Sequence, residues 1–300
     1  MDAPYLAPNR ITGIMIVTDS YILTLSCDDQ PGIVAAVTGM LFEAGGNILE
    51  AQQFDDVEAV RFFLRIKFRF EPGAIGEAAF RTKFQTIVDR YSMDWRLRCV
   101  AEKQRVLLLV SKFDHCLGDL LYRHGIGELN MHIAGIVSNH PADALSLTLP
   151  PEIPYHHLPI TKETKPQQEA QIKAIVEREK VDLVVLARYM QVLSDDMSRY
   201  LSGRCINIHH SFLPAFKGAK PYEQAHKRGV KMIGATAHYV TADLDEGPII
   251  CQDVEPVSHA DTGEDFVRKG RDIERRVLAQ AVRLHLEDRA LLNGTKTVVF

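Results

Sequence analysis

The run Arg105-Val106-Leu107-Leu108-Leu109-Val110-Ser111 sets the strongest limit on how this chain can fold. A near-continuous apolar run of that length suits a strand covered on both faces, which is the habit of parallel sheets. Ile133 to Ser138 and Leu183 to Ala187 repeat the pattern. Helical stretches fall between them, Leu117 to Arg123 and Pro166 to Lys180, the second with Ile172, Ile175 and Val176 as its apolar stripe. Strands alternating with helices predict a doubly wound α/β domain with a mostly parallel sheet over residues 105–300.

Ahead of it the pattern changes. Tyr21 to Cys27, Ile48 to Phe54, Val60 to Phe70 and Asp94 to Val100 read as strands. Ile33, Val34, Val37, Met40 and Leu41 recur at helical spacing, as do Ala78, Phe80, Phe84, Ile87 and Val88 within a helix over 74–91. Pro31 suits a first helical turn, and Gly45-Gly46 ends that helix by tolerating positive φ. The order strand, helix, strand, strand, helix, strand predicts a ferredoxin-like βαββαβ domain over 21–100, after an arm of residues 1–20.

A chain of 300 residues has room for two such domains. The formal net charge of −4 gives no sign of a nucleic-acid partner, and Arg61, Arg65, Lys67 and Arg69 read as the polar face of a strand. No apolar run approaches membrane-spanning length, so no membrane partner is expected. Five cysteines far apart, with no Cys-x-x-Cys pair, fit a reducing compartment and a cytoplasmic protein. His156, His157, His226, His238 and His259 show no ligand spacing and read as solvated or core histidines, so no metal is expected. Gly118, Gly125 and Gly127 do not form a dinucleotide fingerprint, and Ser111 to His115 offers no glycine cradle for a phosphate.

Asn207-Ile208-His209-His210-Ser211-Phe212-Leu213-Pro214 carries the chemistry. It leaves a buried strand and stops at a proline that cannot donate to a ladder. Asn207 and His209 are one residue apart, so an extended backbone points both the same way. A carboxamide beside an imidazole at a strand's carboxyl end can stabilise an oxyanion and move a proton, although a satisfied amide and a core histidine fit the same pattern. The crevice of an open parallel sheet lies outside those carboxyl ends. Arg188 to Ser194 and the acidic loop before Gly247-Pro248 are expected to converge there, with Asp243, Asp245 and Glu246 all able to supply a carboxylate that orients His209 and holds a water.

Two resemblances sharpen this. Asp29-Gln30-Pro31-Gly32-Ile33 followed by Gly46-Asn47-Ile48 resembles the ACT domain, which implies self-pairing into a homo-oligomer, dimer or tetramer, and an amino-acid effector at Asp29, Gln30, Gly32, Ile33, Asn47 and Ile48. Asn-x-His with Ser-x-Leu-Pro, then Asp-x-Gly-Pro-Ile-Ile some forty residues on, resembles the folate-dependent formyltransferase and formyl-hydrolase superfamily over about 105–285.

In that superfamily the catalytic trio falls on Asn207, His209 and Asp245. The folate pocket falls on Arg188, Tyr189, Met190, Gln191, Leu193, His210, Ser211, Thr241 and Asp243. An ACT-like domain in front, His210 where transferases have Pro, and Lys217 to Ala225 in the next loop and helix resemble the family of formyltetrahydrofolate deformylases. The resemblance implies a folate substrate, no cofactor, and hydrolysis of 10-formyltetrahydrofolate in one-carbon metabolism and purine biosynthesis. The alternative is transfer of the formyl group to glycinamide ribonucleotide or another amine. Asp245 is expected as general base, Asn207 and His209 as oxyanion donors. Residues 262–287 read as an amphipathic helix for core cover or subunit contact, and 295–300 as a late edge strand.

Overall fold

The computed structural model describes residues 19–213 and 221–300. The expected N-terminal arm (save its last two residues), Pro214 and the Lys217 loop lie outside the described residues. The chain divides into two compact units, Met1–Ala101 and Glu102–Phe300.

In the first unit, β1 (Ser20–Asp28), α1 (Ile33–Glu43), β2 (Gly46–Asp56), β3 (Arg61–Phe70), α2 (Gly76–Tyr91) and β4 (Asp94–Cys99) follow the expected order. The strands form an antiparallel sheet ordered β2-β3-β1-β4. Its core is the apolar parity of the strands against one face of each helix, with Leu23, Leu25, Leu64, Ile66 and Phe68 meeting Val37, Leu41, Phe80 and Phe84. Gly45 takes φ 76°, and a Cβ there would come within 2.9 Å of Ala74, so the turn after α1 requires glycine on two counts. The basic residues of β3 are matched rather than merely solvated: Arg61 pairs with Asp28, Arg65 and Lys67 with Glu50, and Arg69 with Glu71.

The second unit holds a seven-stranded sheet ordered β11-β10-β9-β8-β5-β6-β7. Its strands are β5 (Gln104–Val110), β6 (Met131–Ser138), β7 (Tyr155–His157), β8 (Leu183–Leu186), β9 (Cys205–His209), β10 (Met232–Tyr239) and β11 (Ile249–Pro256). β5 to β9 are parallel, whereas β10 and β11 form an antiparallel edge. β5 is buried from end to end except at Arg105, as its composition requires.

Helices cover both faces. α3 (His115–Gly125), α6 (Pro221–Arg228) and α7 (Gly263–Leu286) pack on the face that carries Val106, Leu108, Ile206 and Ile208. α4 (Lys165–Arg178) and α5 (Asp195–Tyr200) pack on the face of Leu107, Leu109, Leu186 and Cys205. A hairpin, β12 (Ala290–Asn293) with β13 (Lys296–Val299), stands in place of the single late strand. α7 is opened by a capping box in which Thr262 and Asp265 satisfy each other's backbone N–H. Among the described residues, no helix is long and apolar enough to cross a membrane.

Candidate active site

β9 runs between β8 and β10, so its side chains alternate across the sheet. Ile206 and Ile208 enter the core beneath α7, and Asn207 and His209 therefore point to the α4/α5 side. Across the β9–β10 ladder, Asn207 lies opposite His238. The connection from β10 to β11 then doubles back over this face. Gly247 makes that path available: a Cβ there would sit 1.7 Å from the Tyr239 carbonyl oxygen. Asp245, in the left-handed region at φ 58°, is delivered to the imidazole. The carboxylate therefore comes from an antiparallel hairpin, not from a parallel strand's carboxyl end.

His209 is 5% exposed, and its Nδ1 lies 3.2 Å from Asp245 Oδ2. That distance leaves no place for the water expected between them. Its other nitrogen, Nε2, is buried with no hydrogen-bond partner among the described residues. His238 Nδ1 donates to the Tyr239 carbonyl at 3.0 Å, which leaves its Nε2 facing Asn207 Nδ2 at 3.3 Å and Asp245 Oδ1 at 3.7 Å. Burial pushes the Asp245 carboxyl up, but the hydrogen bond to His209 and the nearby His238 ring outweigh it and hold the group well below the usual carboxylate range. A carboxylate so stabilised stays ionised beside the ring. At 3.2 Å from Nδ1 it is placed where it can fix the tautomer and aim of His209.

These groups line a cavity of about 620 Å³. Of the expected pocket residues, Arg188, Tyr189, Met190, Gln191, Leu193, His210, Thr241 and Asp243 line it as well, whereas Ser211 is buried outside it. Tyr189 forms backing: its hydroxyl exchanges hydrogen bonds with Gln168, and burial pushes it up to about 12. Burial holds the His210 imidazole down to about 4, with the Arg188 charge adding to the effect. The loop between β8 and α5 is pinned at both ends. The Met190 N–H donates to Ser111 Oγ, and Ser194 caps α5 while bonding to Glu169.

Other lining residues escaped the sequence reading. His238 shows no distinguishing spacing in the sequence, yet it borders Asn207 and Asp245. Glu274, on the buried stripe of α7, is 1% exposed and reaches the cavity, so this helix is more than core cover. Glu274 Oε2 lies 2.8 Å from His115 Nε2 and 3.3 Å from Arg188 Nε, and Tyr222 donates to Oε1 at 2.8 Å. The signal was a lone acid in an apolar stripe. His115, Cys116 and Glu274 also approach one another closely enough to suggest a metal cluster. Burial pushes the Cys116 thiol well up, however, and Arg188 already neutralises the carboxylate, which disfavours a cation there.

In the first unit, Gly32 takes φ 93° at the start of α1, where no side chain among the described residues caps the helix. The Asp29 N–H is taken by the Val60 carbonyl, and Asn47 donates to Glu71 at 3.1 Å. Ile33 is buried, Gln30 is exposed, and Ile48 lies at a register shift in β2.

Residues 104–282 match the family model described as formyl transferase, and residues 21–78 match the ACT domain. A formyltetrahydrofolate deformylase of Corynebacterium sp. (strain P-1) is 50% identical over 93% of this chain and 97% of its own. The crystal structure of the formyltetrahydrofolate deformylase from Burkholderia mallei superposes with a TM-score of 0.87 at 50% identity, covering 94% of this chain and 99% of that one. The glycinamide ribonucleotide transformylase 1 of Symbiobacterium toebii matches at 30% identity and a TM-score of 0.59, but covers only 66% of this chain and 94% of its own.

Proposed function

The chain belongs to the formyltetrahydrofolate deformylase family, and we propose that it hydrolyses 10-formyltetrahydrofolate to formate and tetrahydrofolate at Asn207, His209 and Asp245. One observation supports the assignment of roles: a buried imidazole lining the cavity, whose Nδ1 lies against a carboxylate and whose Nε2 has no hydrogen-bond partner among the described residues. The similarity to deformylases spans both units, whereas the transformylase match covers about two thirds of the chain.

His209 Nε2 takes a proton as water attacks the formyl carbon. Asn207 Nδ2 keeps one hydrogen on His238 Nε2 and turns the other to the oxyanion. The tetrahedral intermediate collapses as the bond from carbon to N10 breaks, and His209 returns its proton to that nitrogen. Formic acid then loses a proton to solvent. Asp245 remains ionised and holds the ring. Met190, Val192 and Leu244, exposed around the cavity, give an apolar rim suited to the folate ring system. The steps need side chains and water alone, with the folate as substrate and no cofactor.

Five free thiols suit a cytoplasmic setting. Self-association comes from the first unit, where β2 borders only β3 in the described sheet and Phe42, Leu49 and Phe54 are exposed. An amino-acid effector is received between the α1 N-terminus and Asn47, where backbone N–H groups favour a carboxylate. Sedimentation equilibrium tests the association, with a dimer or tetramer expected and a monomer at working concentration refuting it. Effector binding is tested by calorimetry with free amino acids.

The decisive assay for the reaction gives purified full-length protein 10-formyltetrahydrofolate and no amine. Formate and tetrahydrofolate in equal amounts are expected. Turnover that begins only when an amine such as glycinamide ribonucleotide is added would assign the chain to the transferases instead.

A further inference from the structure

The cavity straddles the carboxyl edge of the sheet, and its two halves differ in kind. On the α4/α5 side lie Asn207, His209 and Asp245 with the loops expected to hold the folate. On the α3/α6/α7 side three elements converge on one buried carboxylate, Glu274 of α7. His115 comes from the start of α3, Tyr222 from α6 and Arg188 from the exit of β8. We propose that this Glu274 cluster is a specificity element, which fills the half of the cavity an amine acceptor would need and so reserves the formyl carbon for water. The inference rests on the hydrolase reading above and extends it to the choice of nucleophile.

Several features show a built wall. Strand alternation would send Arg188 to the same side as Leu186, yet a left-handed φ of 63° breaks the strand and accompanies its turn to Glu274. Tyr222 lies directly on α7 at Gly270, where a Cβ would come within 2.2 Å of its ring. One turn further along the same helix, Glu274 accepts the Tyr222 hydroxyl. The carboxylate cannot yield its partners cheaply, because an unpaired charge would remain at 1% exposure. Burial pushes the Glu274 carboxyl up, and His115, Arg188 and Tyr222 together bring it below the ordinary range.

The first βα turn completes the obstruction. Where a phosphate-bearing acceptor would want a glycine cradle, Phe113 stands with the Arg188 and Arg271 guanidinium groups 5.8 and 5.9 Å from its ring centroid. His210 follows His209 directly, and its ring centroid is 6.2 Å from that of Tyr222. Burial keeps it neutral at physiological pH. A neutral imidazole can hold a water, which needs only one small polar space. An amine nucleophile must instead bring its carbon skeleton past Tyr222 and His115. For such an acceptor the step would be attack of its nitrogen on the formyl carbon, rupture of the bond to N10, and passage of the amine proton to N10.

The test supplies the full-length protein with 10-formyltetrahydrofolate and glycinamide as competing amine, and measures tetrahydrofolate, formate and N-formylglycinamide. The unaltered chain should give formate matching tetrahydrofolate. Tyr222→Leu, which shortens the wall, and His115→Ala, which opens its rim, should each raise the ratio of formylated amine to formate at least tenfold, the order of discrimination one steric contact gives. Tyr222→Phe keeps the ring and should keep the ratio of the unaltered chain. The ratio counts turnovers only, so it does not depend on how much protein folds, and His115→Ala suffices if Tyr222→Leu does not fold. Formate as sole product in both wall variants overturns the proposal. Absence of formate from the unaltered chain would instead overturn the hydrolase reading.

Discussion

Asn207 and His238 occupy paired positions on antiparallel neighbours, β9 and β10, and their side chains meet at 3.3 Å in the lining of the cavity. The His238 ring cannot turn freely, because its Nδ1 is spent on the Tyr239 carbonyl. Asn207 is thus aimed by a residue that need not touch the substrate. Asn207→Ala should lower kcat by about 10²–10³, the cost of one oxyanion donor. His238→Phe should cost less alone and almost nothing further in the double variant, since both act through one hydrogen bond. Single-turnover kinetics on the four proteins decide it, and additive losses would separate the two residues.

Asp245→Asn tests the holding of the imidazole. An amide in place of the carboxylate can present N–H to Nδ1 and select the wrong tautomer, which takes Nε2 out of proton transfer. A fall in kcat of about 10²–10⁴ is expected. Tetrahydrofolate binding, measured by fluorescence titration, should change little. Near-normal turnover would remove Asp245 from the mechanism.

How much of this was written in the sequence depended on how local the cause was. Strand alternation alone placed Asn207 and His209 together, and β5 announced its double burial through its run of apolar residues. The antiparallel sense of β10 was not legible, because a strand does not carry its partner's direction, so the return of the Asp245 loop over the sheet came only with the structure. Arg188 reads as a pocket residue in the sequence, but its left-handed φ and its turn to Glu274 are not visible there. Glu274 was hidden by its helix: seen in sequence, one acid among the apolar positions of α7 passes for a surface interruption until three partners are seen to enclose it.

Gly247→Ala probes the path of that loop. The new methyl would lie 1.7 Å from the Tyr239 carbonyl oxygen and against His238 Nδ1, so the hairpin must lift. Overpacking of this kind costs about 1–3 kcal/mol. The displacement should also withdraw Asp245 from His209. A lowered Tm together with a loss of kcat resembling that of Asp245→Asn is expected, and a fully active, equally stable variant would refute the close approach.

His210 should leave a mark on the pH dependence of stability. Its folded value, about 4, lies below the ordinary histidine value of 6.5, so the unfolded chain binds more protons across that window. Stability is therefore complete above pH 6.5 and falls as pH drops toward 4, by at most about 3 kcal/mol from this residue. His210→Gln removes the titrating group. Urea unfolding at pH 7, 6 and 5 should show a flatter profile for the variant, the two curves diverging most at pH 7 if the imidazole packs better than the amide and converging as pH falls. Parallel profiles would mean that His210 titrates alike in the folded and unfolded chains, and that its neutrality beside Arg188 and Glu274 is not maintained by burial.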